Sequence, residues 1–106
     1  MKVKELNTYG LSDDISQLLM KVFREMKSVR KVVIFGSRAM GTHHSGSDID
    51  LCVFGDAGLN GDLDQLKLLI EDLNLLYEVD LLNFESIDNE NLKDHILRIG
   101  KIFYGQ

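Results

Sequence analysis

Apolar residues recur along this chain with two distinct periods. After Gly10, residues Ile15, Leu18, Leu19, Val22, Phe23 and Met26 fall at the spacing of one helical face, and Ser12 stands where an N-cap belongs. Lys31 to Phe35 is a short β-branched and aromatic run ended by Gly36, which predicts a buried strand followed by a tight turn. Residues 41–47 are small and polar and read as a loop, after which Ile49, Leu51 and Val53 alternate with Asp48, Asp50 and Cys52 as in a strand. That alternation puts Asp48 and Asp50 on one face. Residues 55–61 read as a connection, and Leu63, Leu66, Leu69, Ile70, Leu73 and Leu76 mark a second amphipathic helix from near Asp62, with Asp64, Lys67, Glu71 and Asn74 on its polar face. Tyr77 to Phe84 reads as a third strand in which Asp80 interrupts Val79, Leu81 and Leu82. Asp88, Asn89 or Asn91 can start a last helix through Leu92, Ile96, Leu97 and Ile99, with Gly100 as its stop and Lys101 to Tyr104 as a short final strand.

Helices and strands alternating over 106 residues, with 44% hydrophobic content, predict a single α/β domain spanning residues 1–106. So short a chain leaves little length for a separate substrate domain, so a partner protein is expected to help recognise the acceptor. A formal charge of −5 argues against a broad basic surface for nucleic acid. Cys52 is the one cysteine, which leaves no disulfide within the chain and no Cys/His zinc framework, and a reducing cytoplasm fits. The first ten residues carry no apolar leader segment, and no apolar run reaches the roughly 20 residues of a membrane span. A soluble, unprocessed protein is expected. The chain has no proline, repeat or low-complexity tract to suggest a linker.

The candidate chemistry starts at the first strand's end. Gly36-Ser37 is followed by ten residues and then by Asp48-Ile49-Asp50, so a Gly-Ser turn and an Asp-x-Asp pair lie on consecutive strands. Glycine lets backbone amides approach a phosphate, Ser37 adds a hydroxyl donor, and a short helix from Arg38 can point its N-terminus at the anion. Two carboxylates two residues apart on a strand, with Cα atoms roughly 6 to 7 Å apart, can reach one metal site. Asp80 on a neighbouring strand can supply a third. Mg²⁺ prefers such oxygen ligands and commonly bridges substrate phosphates.

Gly36-Ser37-Arg38-Ala39 through Ser47-Asp48-Ile49-Asp50-Leu51 resembles the signature of the DNA polymerase β-like nucleotidyltransferase superfamily, in its minimal nucleotidyltransferase (MNT) branch. The resemblance spans nearly the whole chain and implies the nucleotidyltransferase fold, a small mixed β-sheet flanked by helices. It implies that Gly36 and Ser37 contact the triphosphate, that Asp48 and Asp50 bridge two Mg²⁺ ions, and that Asp80 binds the catalytic metal and helps deprotonate the acceptor. Arg38 would add charge beside the phosphates. ATP is then the expected substrate. Minimal members often act beside a helical HEPN-domain partner, and some are antitoxins that transfer AMP to a tyrosine of that partner, so a hetero-oligomer is one expected state and a homodimer another. Many relatives carry a second arginine where this chain has Met40, which predicts weaker triphosphate binding.

Each residue also has a structural reading. A Gly-Ser pair alone is a turn, and an Asp-x-Asp pair alone is a solvated strand edge or a capping loop. Acids within two apolar strands are harder to explain without a ligand, because burying an unpaired carboxylate is costly. His43 and His44, adjacent in a loop without a metal-binding framework, are expected in solvent and carry no assigned role. Cys52 alternates away from the acids and reads as core, as do the leucine stripes, while Tyr77 and Tyr104 read as core or interface. The glycine spacing is not that of a Walker P-loop, and the loop lacks an EF-hand's ligand pattern. Transfer to a small hydroxyl compound, or nucleotide and partner binding without catalysis, are the competing functions.

Overall fold

A computed structural model of the protein describes residues 7–105. The elements are α1 (Asp13–Arg24), β1 (Val29–Phe35), α2 (Gly36–Met40), β2 (Ile49–Gly55), α3 (Leu59–Glu71), β3 (Val79–Asn83), a 3₁₀ turn (Phe84–Ser86), α4 (Glu90–Ile99) and β4 (Lys101–Gly105). Every element expected from periodicity is present, the short helix after Gly36 included.

The caps expected at α1 and α4 form. Ser12 accepts from the Ile15 amide, and Asn89 accepts from the Leu92 amide at 3.1 Å. Acidic Asp13 and Asp14 open α1 while Lys21 and Arg24 close it, matching the helix dipole at both ends. Gly100 ends α4 because a side chain there would collide with the Ile96 carbonyl and with Val33.

The largest departures from the expected boundaries are at α3 and β3. Helix α3 starts at Leu59 rather than near Asp62, whose carboxylate instead takes the Ser28 hydroxyl at 2.6 Å. It ends before Leu73 and Leu76, where Asn74 adopts a left-handed φ of 52° and Leu76 is left fully exposed. Strand β3 is shorter than residues 77–84, because the Asn83 side chain caps the 3₁₀ turn by accepting from the Glu85 amide. Leu18 and Leu97, placed on apolar helix faces by spacing, are exposed at the margins of those faces.

The sheet order is β3-β2-β1-β4. Strand β1 runs antiparallel to β2 and β4, and β2 runs parallel to β3 through the α3 crossover, so the sheet is mixed. One face packs Ile34, Leu51, Val53 and Leu81 against Leu19 and Phe23 of α1 and Leu66 and Ile70 of α3. The opposite face packs Val33, Phe35 and Cys52 against Ile87 and Ile96. The central strand β2 is therefore covered on both faces, which buries Cys52 as well as its alternating neighbours. Among the described residues no helix is long and apolar enough to cross a membrane.

Candidate nucleotide and metal site

The site forms where β1 ends beside the start of β2. Phe35 pairs with Asp50, and the next residue, Gly36, turns the chain into α2 with a φ of 72°. A methyl group on Gly36 would run into Oδ2 of Asp50. Glycine is required here twice, for the left-handed backbone and for the space that the carboxylate fills. Ser37 is half-buried, and its carbonyl accepts from the Thr42 amide at 3.0 Å as α2 closes at Gly41.

Asp50 and Asp80 are register partners on the parallel strands β2 and β3. Alternation with Leu51 and Leu81, which enter the core shared with α1 and α3, puts both acids on the face that α4 covers. Asp48 lies just before β2. Burial raises the Asp50 carboxyl above its usual range, and the charges of Asp80 and then Asp48 raise it further, while His95 and Arg38 pull it back. The three acids thus share one electrostatic site. Asp48 and Asp80 are exposed and Asp50 is half-buried, so the cost of the arrangement is mutual repulsion plus partial dehydration at Asp50, rather than the burial expected from their apolar neighbours.

Arg38 is used differently from the expectation. It is 1% exposed, and its guanidinium donates to the Tyr9 carbonyl at 2.6 Å and to the Ser47 carbonyl at 3.2 and 2.9 Å, with the Tyr77 ring 4.9 Å from its carbon. Arg38 therefore braces the residue before Asp48 and ties the loop of residues 41–47 to the segment before α1. Its charge reaches Asp50, while three of its N–H donors are engaged by protein carbonyls. Met40 is exposed.

His95 of α4 is a contributor that the sequence reading missed. Its Nε2 accepts the Gly36 N–H at 3.3 Å, and the ring meets Phe35 edge-on at 6.1 Å. The available signal was its place beside Ile96, which faces the sheet. The two loop histidines part company. His44 is exposed as expected, its Nδ1 accepting the Gly46 amide, whereas His43 is half-buried near Gly10 and Arg38 with its Nδ1 unpartnered. Burial pushes the Cys52 thiol up to about 12, which leaves it no role as a nucleophile.

Among the described residues no three His, Cys, Asp or Glu side chains close into a ready-made metal cage. The acids nonetheless suit Mg²⁺, which takes one or two carboxylates and completes its shell with water and substrate phosphates. Their repulsion at Asp50, only partly offset by His95 and Arg38, is the charge imbalance that a cation relieves.

Residues 17–106 match the family model described as polymerase beta, nucleotidyltransferase. No curated protein matches. Among solved structures, a toxin-antitoxin with AMP-PNP is 27% identical with a TM-score of 0.63, the match covering 86% of this chain and 73% of that one. The toxin-antitoxin MntA-HepT is 20% identical at 0.60, covering 90% and 74%. A tri-AMPylated Shewanella oneidensis HEPN toxin in complex with MNT antitoxin is 23% identical at 0.57, covering 87% and 71%. With the family model matched over most of its length and a mixed sheet carrying the Gly-Ser turn beside the acids, this chain belongs to the polymerase beta nucleotidyltransferase family.

Proposed function

We propose that this chain transfers AMP from ATP, with Mg²⁺, to a tyrosine hydroxyl of a HEPN-type partner, and acts in the cytoplasm as the antitoxin of that pair. The observation that carries this reading is the register of Asp80 with Asp50, next to Asp48 and the Gly36 turn. A solved relative with AMP-PNP supports the nucleotide, and the same fold beside an AMPylated HEPN toxin supports the acceptor class.

Gly36 and Ser37 would hold the β- and γ-phosphates at the turn that opens α2, where the Asp50 carboxylate packs against the Gly36 backbone and His95 holds its amide. His95 and Arg38 are positioning residues, the first on the Gly36 amide and the second on the Ser47 carbonyl. Asp48, Asp50 and Asp80 would hold two Mg²⁺ ions, which supply charge neutralisation for the triphosphate and the departing pyrophosphate. The acceptor oxygen forms a bond to the α-phosphorus while the α–β bridging P–O bond breaks, and the hydroxyl proton passes to Asp80, which is exposed where its register partner Asp50 is half-buried. Positioning and electrostatics, rather than a covalent intermediate, carry the reaction.

The test is to incubate the chain with each labelled NTP, Mg²⁺ and a HEPN-type partner, then locate the label. Label from ATP on a partner tyrosine, lost in Asp48→Ala with folding intact, is the expected result. Label on a small hydroxyl compound without any partner would replace the acceptor, and no label on any species would leave only binding.

A further inference from the structure

Strand β3 ends the sheet, with β2 on one side and no strand on the other among the described residues. The Ile49 amide donates to the Glu78 carbonyl at 2.8 Å, and the parallel ladder continues through the Asp50–Asp80 pair. Parallel strands direct the main-chain groups of alternate residues to opposite sides. Glu78, Asp80 and Leu82 therefore turn their amides and carbonyls toward β2, and Val79, Leu81 and Asn83 turn theirs outward.

A groove of about 540 Å³ runs beside this edge, between it and the C-terminal half of α3. Its wall includes the consecutive residues 77–82, which lie alternately on both faces of the sheet. Only an open strand edge presents both faces to one groove. The edge carries little protection beyond its short length and Asp80: VDLLN contains no lysine, no proline and no bulge toward β2. Glu71, Glu78 and Asp80 face the groove against one lysine, Lys67.

We infer that the β3 edge is the acceptor docking surface, taking an extended, basic segment of a partner protein as an added strand whose hydroxyl-bearing residue comes to lie beside Asp80. Main-chain pairing with Val79, Leu81 and Asn83 supplies affinity, and the acidic wall selects lysine or arginine flanking the acceptor. Continuity is the decisive feature, because Asp80 borders both the groove and the acid cluster. The inference rests on the proposed transfer for its meaning, but its test does not use catalysis.

A displayed library of random heptapeptides, selected on the full chain without nucleotide, is the probe. Enriched peptides should be β-branched and basic, and should bind about tenfold more weakly once N-methylated on alternate residues. Val79→Pro, which removes an outward amide at the first residue of an edge strand, should abolish the enrichment, and Glu71→Lys with Glu78→Lys should turn it toward acidic peptides. The double lysine variant lies on exposed positions and covers the case in which the proline variant fails to fold. No enrichment above the blank, or enrichment indifferent to the charge reversal, overturns the inference. Failure of AMP transfer, read separately with labelled ATP, would instead count against the proposed function.

Discussion

Asp50 and Asp80 stand opposite each other on parallel neighbouring strands, and after burial the charge of Asp80 is the largest influence holding the Asp50 carboxyl above its usual range. An enzyme that binds a cation between such groups keeps them repelling one another until the cation arrives. Holding the Asp50 carboxyl up in this way costs the folded domain stability, a cost that the proposed cations would relieve.

The pH dependence follows from that direction of shift. A carboxyl raised in the fold favours its protonated form there, so its contribution to stability is present below the unfolded pKa and is lost as pH rises through the folded value. At neutral pH, Asp50→Asn should raise the melting temperature of the metal-free protein by a few degrees, and the difference should vanish in acid below the ordinary aspartate range. Melting curves of both proteins across pH check this, and a variant that melts lower at neutral pH would contradict the repulsion.

Gly36→Ala should cost about 1–2 kcal/mol of stability from its left-handed backbone, and kcat should fall about a hundredfold because the added methyl group displaces the Asp50 carboxylate. Part of the stability loss should disappear when Asp50 is also alanine, since the collision is with its Oδ2. Strict additivity of the two substitutions would rule the contact out.

Arg38→Lys should lose about 2–4 kcal/mol, because a lysine cannot serve the Tyr9 and Ser47 carbonyls together or stack on Tyr77. Where the variant remains folded, KM for ATP should move by less than about threefold. A stable variant with a sharply raised KM would return Arg38 to the phosphates.

His95→Ala should lower kcat about tenfold by freeing the Gly36 amide, and His95→Gln, which can still accept that hydrogen bond, should recover much of it. Equal losses in both variants would mean that the ring's contact with Phe35 is what counts.

How much of this was legible in the sequence depends on how local each relationship is. The two-residue spacing of Asp48 and Asp50, the glycine that ends β1 and the helical stripes of α1 and α4 are short-range patterns, and they were readable. The start of α3 was not, because Asp62 looks like a cap while serving Ser28, which lies 34 residues away. The bracing role of Arg38 was hidden because its partner Tyr9 lies 29 residues off, and His95 was invisible because Gly36 lies 59 residues off. Asp80 was legible as an acid interrupting an apolar strand, but its register with Asp50 depends on the parallel crossover through α3, which no local pattern encodes.

The central claim is that Asp48, Asp50 and Asp80 share bound cations with the triphosphate. Its most direct measurement is Mn²⁺ binding, followed by paramagnetic resonance, in the presence of a non-hydrolysable ATP analogue. The wild-type chain should bind about two ions, Asp80→Ala about one, and Asp48→Ala with Asp50→Ala none above the free nucleotide. Unchanged stoichiometry and affinity in both variants would contradict the account.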